Sequence, residues 1–173
     1  MTRIIINCFF LFFTLIGSAQ EKNVFDVARK GTLVEMKAIY DKNTELVNTV
    51  DDRKSSPLIL ACYKNNEEVA LFLADKVKDI NYNSGMGTAL MATIMSGNSK
   101  ILEKLISQKA NLNLSDSQGK TALIYATFFN KNEIVKTLIK AGADITSKDN
   151  DGKKALDFAT FNKNTELIIL LNK

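Results

Sequence analysis

Residues 119–144 read GKTALIYATFFNKNEIVKTLIKAGAD. A turn-forming Gly119 opens the stretch, two short apolar patterns follow, and Gly142 closes it. Aligned on Leu123, the pattern returns at Val24, Leu58, Leu90 and Leu156, with successive separations of 34, 32, 33 and 33 residues. Three positions on from each lies a small or β-branched residue: Val27, Ala61, Thr93, Ala126 and Ala159. A second stripe follows in each unit, as in Ile134, Val135, Leu138 and Ile139, spaced by one, three or four residues, which is one face of a helix. Sets such as Asp79-Ile80-Asn81 and Asn111-Leu112-Asn113 then lead to the next unit.

Self-similarity at this period is the signature of a stacked repeat array. Fully burying one Leu or Ile stabilises by roughly 1.5–3 kcal/mol, whereas ordering each residue costs on the order of 1–2 kcal/mol. One helix pair therefore cannot hold itself together, and stability must reside in the interfaces between units. The expected fold is an all-α repeat solenoid of helix-turn-helix units with short β-hairpin-like loops. The expected units are about 21–50, 51–82, 83–115, 116–148 and 149–173, in a single domain over 20–173 with no linker.

These units resemble the ankyrin repeat. Residues 116–144 carry the family's pattern at Asp116, Gly119, Thr121, Leu123, Ala126, Ile134-Val135, Leu138-Ile139 and Gly142-Ala143-Asp144. The family's Pro survives only as Pro57, and Ala89, Ala122 and Ala155 replace it. Its His is replaced by Ile59, Met91, Ile124 and Asp157, which puts the bonds that tie neighbouring loops together in doubt. Ser56, Thr88 and Thr121 keep the helix-entry hydroxyl, whereas Lys154 cannot supply it. The mid-unit Gly stands at Gly31 and Gly97, is replaced by Asn65 and Asn130, and gives way to Lys163 in the last unit. Asn tolerates the left-handed conformation best after Gly, so strain is expected at Lys163.

The chain of 173 residues contains no His, which removes His-based metal sites and the commonest general base. Residues 1–20, MTRIIINCFFLFFTLIGSAQ, place Arg3 before an apolar run over 4–16 and small residues Gly17-Ser18-Ala19 after it. That order predicts a secretory signal peptide over 1–19 cleaved near Ala19-Gln20, since the run is shorter than the roughly 20 residues of a spanning helix. The mature chain would be periplasmic or secreted, with no membrane span. The leader, with the Lys, Asn and Ile richness, points to a bacterial source. Cleavage would leave 22 basic against 19 acidic residues, too mild an excess to predict nucleic-acid binding. It would also leave Cys62 alone, so no internal disulfide is expected, and Cys62 reads as a buried, inert thiol.

Motifs that could carry chemistry fail on spacing. Glu67-Glu68 are adjacent and do not share a helix face. Asp149-Asn150-Asp151-Gly152 lacks the terminal Glu of a calcium loop. Ser84-Gly85-Met86-Gly87 lacks the Lys of a phosphate loop and falls where a junction is one residue short. No catalytic residue, metal or cofactor is expected.

The resemblance implies that the two residues after the paired small residues face a concave groove. This transfers to Tyr63 and Lys64, Met95, Phe128 and Phe129, and Phe161 and Asn162, with Arg53, Gln118 and Lys120 on the hairpin tips. An apolar groove with a polar rim is the composition of a protein-binding surface, although the same rings could pack between units. The expected function is that of an exported, monomeric, non-catalytic scaffold or adaptor that binds another protein. The alternative is an immunity protein or inhibitor that blocks a toxin or enzyme; an enzyme is the poorest of the three readings.

Overall fold

The computed structural model describes residues 23–172. The leader expected at 1–19 and its cleavage point lie outside the described residues.

Ten α-helices occur among the described residues, in five successive pairs: α1 (Val24–Lys30) with α2 (Leu33–Lys42), α3 (Pro57–Tyr63) with α4 (Glu67–Ala74), α5 (Ala89–Ser96) with α6 (Ser99–Ser107), α7 (Ala122–Phe128) with α8 (Asn132–Lys140), and α9 (Ala155–Phe161) with α10 (Thr165–Leu171). The first helices stack in order, α1 on α3, α3 on α5, α5 on α7 and α7 on α9. The second helices form a parallel row, with α2 on α4, α4 on α6 and α8 on α10. The architecture is thus the all-α solenoid of helix-turn-helix units.

Local chemistry sets the helix boundaries. The hydroxyls of Ser56, Thr88 and Thr121 accept the N–H of Ile59, Met91 and Ile124, which satisfies a backbone donor left over in the first turn. Lys154 offers no side-chain acceptor, so the Asp157 N–H turns to the Lys154 carbonyl at 3.0 Å, while the Asp157 carboxylate accepts the Lys154 N–H at 2.7 Å. The turns between paired helices take left-handed residues at Asn65, Gly97, Asn130 and Lys163, with φ of 56°, 78°, 53° and 54°. Gly31 differs from this expectation. Its φ is −83°, and glycine is required because a Cβ there would lie 2.7 Å from Val27 Cα and Cγ1.

The one-residue deletion falls in the hairpin before α5. Asp51, Asp116 and Asp149 donate their N–H to the carbonyls of Ser55, Lys120 and Lys153, four residues on, whereas Ser84 donates to Gly87, three residues on. The 3-10 turn Thr44–Asn48 holds the extra residue of the first unit and seats Val47 in the core. Isolated antiparallel bridges, Ser115 to Thr121 and Lys148 to Lys154, mark two hairpins.

Val27, Ala61, Thr93, Ala126 and Ala159 are all fully buried, because only small side chains fit where successive first helices approach. Leu73, Leu105, Leu138 and Leu171 form the matching buried row on α4, α6, α8 and α10. Asparagines join the units. Asn66 Nδ2 donates to the carbonyls of Val27, Ala28 and Gly31. The Oδ1 atoms of Asn48, Asn81 and Asn113 accept the N–H of Lys78, Asn111 and Asp144. The loop bonds placed in doubt by the missing His are kept by other donors: Ser117 N–H to Gly85 O, Asn150 N–H to Gln118 O, and Asn83 Nδ2 to Ser115 O.

Candidate functional site

The hairpins and the first helices enclose a groove of about 1010 Å³ along one side of the solenoid. Arg53, Tyr63, Lys64 and Met95 line it, joined by Phe25, Val50, Met86, Met91 and Tyr125. Beyond its far end, Phe128, Phe158 and Phe161 line a second, apolar hollow of about 460 Å³ together with Lys153, Asp157 and Thr160.

The predicted aromatic and methionine positions keep part of their surface exposed, Tyr63 53%, Met95 45%, Phe128 44%, Phe129 37% and Phe161 80%, although Phe128 also packs against the next unit. They sit at the carboxyl-terminal ends of α3, α5, α7 and α9, where the last turn leaves the core. Phe128 meets Phe129 and Phe158 edge-on, with centroids 5.0 and 5.7 Å away. Phe129 stacks on Tyr125 at 6.2 Å, so the four rings form one continuous apolar wall. The Tyr125 hydroxyl donates to Asp116 Oδ2 at 2.6 Å. Burial, and then that carboxylate, push the phenol up to about 12.

Three predicted residues have structural partners. Asn162 Nδ2 donates to the carbonyls of Thr127 and Phe128, fastening α9 to α7. Lys120 Nζ lies 3.4 Å from Asp149 Oδ2, and the Gln118 carbonyl accepts the Asn150 N–H. By contrast, Lys64 Nζ lies over the Tyr63 ring at 5.3 Å, and Lys153 Nζ over the Phe158 ring at 6.0 Å.

Sequence reasoning missed Met86, Tyr125 and Phe158. Met86 stands 68% exposed on the short hairpin. Tyr125 and Phe158 follow Leu60 and Ala92 at the same register, so a row turning from aliphatic to aromatic along the chain was the available signal. Cys62 is wholly buried, and its thiol is pushed up to about 12 by burial, against a smaller opposing effect of Thr93.

A family model described as "Ankyrin repeats (3 copies)" matches residues 13–116 and 90–173. The chain belongs to the ankyrin-repeat family. It is 32% identical over 102 residues to "Ankyrin repeat and SAM domain-containing protein 6" of rat, which covers 58% of this chain and 12% of that protein. It is 28% identical over 122 residues to "Inactive serine/threonine-protein kinase TEX14" of mouse, covering 70% of this chain and 8% of that protein. The ankyrin-repeat chain thus spans a small part of these relatives. Among the described residues, no group of three or more His, Cys, Asp or Glu side chains is arranged to hold a metal, and no helix is long and apolar enough to cross a membrane.

Proposed function

We propose that this ankyrin-repeat protein is an exported, non-catalytic binding module that holds a partner protein against its groove and hairpin tips. The observation that carries the reading is the exposure of Tyr63 and Met95 in the groove and of Phe128 and Phe161 on the second hollow, with Phe129 against Phe128. Exposed apolar surface of this kind on a soluble fold marks an interaction site, and aromatic residues are enriched at the energetic centres of interfaces. Rigidity supports it too, since a groove built on stacked helices loses little freedom when it binds.

Affinity capture with the protein and with a folded Phe128→Ser/Phe129→Ser variant tests the reading. The double variant is expected to lose the partner; equal capture by both would refute the groove assignment. Amino-terminal sequencing of protein recovered from the exported fraction tests the leader, with Gln20 the expected first residue.

A further inference from the structure

We infer that the hollow at Phe128, Phe158 and Phe161 is covered by the same hollow of a second copy of this chain, in a two-fold dimer where Phe161 of each protomer enters the hollow of the other. This departs from the monomer expected from the sequence. It goes beyond the groove reading and does not depend on it: Tyr63, Met95 and Phe129 do not line the hollow and stay free for a partner protein.

The last unit repeats a ring that is partnered one unit earlier. Phe161 stands 33 residues after Phe128, at the same register. Phe128 meets Phe158 of the following unit edge-on at 5.7 Å, whereas Phe161 has no ring contact among the described residues and is 80% exposed. Ile169 repeats the relationship on the second helix. It is in register with Lys136, which reaches across the units to Glu166, and it is 69% exposed. A terminal unit ordinarily turns a polar face outward, so two apolar side chains at positions that reach forward call for a cover.

Charge selects the occupant. Lys153 and Asp157 line the hollow beside its three rings, one cation and one anion. Lys153 Nζ lies over the Phe158 ring, and Asp157 accepts the Lys154 N–H, which leaves its charge in place; neither forms an ion pair among the described residues. Such a lining favours neither an acidic nor a basic ligand, but it complements itself. A two-fold axis makes every contact twice with the roles exchanged. Lys153 of each protomer then faces Asp157 of the other, while each Phe161 ring meets the apolar hollow opposite. Head-to-tail stacking lacks this match. The residue of the first unit in register with Phe158 is Asp26, already paired with Arg29, and it would set a carboxylate against Phe161.

Sedimentation of the purified protein alone, over a concentration series reaching about 1 mM, tests this. The expected result is a reversible monomer–dimer equilibrium, a weak one because a hollow of six residues is small for an interface. Phe161→Ser is expected to weaken the dimer by on the order of tenfold, equivalent to about 1.4 kcal/mol. Lys153→Glu and Asp157→Lys should each weaken it alone, and an equimolar mixture of the two should dimerise again, because each charge then meets its opposite across the axis. Circular dichroism verifies that each variant is folded. Should Asp157→Lys lose the start of α9, Phe161→Ser and Lys153→Glu still decide the matter. A protein that stays monomeric throughout the series overturns the inference. So does a dimer unchanged in Phe161→Ser and Lys153→Glu, or a mixture of the two folded charge variants that stays apart. Each of these results leaves the groove reading standing, because no partner protein is present.

Discussion

The ammonium of Lys120 lies 3.4 Å from the carboxylate of Asp149, whose side chain has no exposure to solvent, and so ties the hairpin of one ankyrin unit to that of the next. The other oxygen, Asp149 Oδ1, accepts the N–H of Asp151 and Lys153. Oδ2 is buried and has no hydrogen-bond partner among the described residues, so removing the lysine would take away its ion pair as well, whereas Oδ1 would remain satisfied. Lys120→Met is therefore expected to destabilise by about 1–3 kcal/mol, less than the loss of one partner from a wholly buried pair, because Lys120 keeps 20% of its side-chain exposure. Urea unfolding measures this, and a cycle with Asp149→Asn isolates the pair.

The same carboxylate gives an acid signature. Burial alone would raise Asp149, but the Lys153 N–H and the Lys120 ammonium outweigh it and hold the group below the usual carboxylate range. A depressed folded value contributes stability that is complete above the unfolded value, near 3.9, and is lost as pH falls through the folded one. Tyr125 has the opposite sign. Its folded value of about 12 lies above the unfolded one, near 10. Its contribution is complete below about 10 and disappears as pH rises towards 12. Tyr125→Phe is expected to flatten the alkaline limb of the stability profile, and Asp149→Asn the acid limb. Chemical denaturation across pH checks both, and parallel profiles for variant and parent would refute the assignments.

Leu123 of α7 and Leu138 of α8 keep only 1% and 0% of their surface exposed. Leu123→Ala or Leu138→Ala is expected to cost about 2–5 kcal/mol through the cavity left behind. Because each unit is stabilised by its neighbours, the loss should spread beyond its own helix pair. Hydrogen exchange should show faster opening of α9 and α10 as well as α7 and α8.

Two backbone positions predict shifts of opposite sign. Lys163 holds φ at 54°, a region that L-residues other than Gly, Asn and Asp enter at a cost. Lys163→Gly is expected to stabilise by about 0.5–1 kcal/mol, the strain relieved being partly offset by the added chain entropy of glycine. Gly119→Ala should do the reverse, since its φ is 76° and a Cβ would sit 2.6 Å from Asn150 Oδ1 and 2.7 Å from Asn150 N. Overpacking of this kind costs about 1–3 kcal/mol. Thermal melts of the two variants check the ordering.

Much of this was legible in the amino-acid sequence, because a repeat solenoid is specified by local pattern. The 33-residue recurrence set by Leu58, Leu90, Leu123 and Leu156, the small residues three positions on, and the helix-entry hydroxyls each act within a few residues, and each stands where the pattern places it. The shortened hairpin at Ser84 and Gly87 was visible as a missing residue for the same reason. The sequence also restricted the chemistry, since a chain without His cannot build the commonest acid-base sites.

The tertiary structure decided what periodicity cannot carry, namely distances between units and the exposure that results from them. Asn66 and Asn162 look alike as polar residues, yet their amides are held by the carbonyls of a preceding helix, which follows only from how the helices stack. Gly31 and Gly97 look alike as mid-unit glycines, yet one is required by contact with Val27 and the other by its left-handed φ. Phe128 and Phe129 could have been core or surface, since an aromatic ring suits both. Stacking of the first helices filled the core with Ala126 and its equivalents and left the rings on the groove side. The sequence by itself determined the repeat and its register through local propensity; the packing of one unit on the next determined which side chains remained free for a partner.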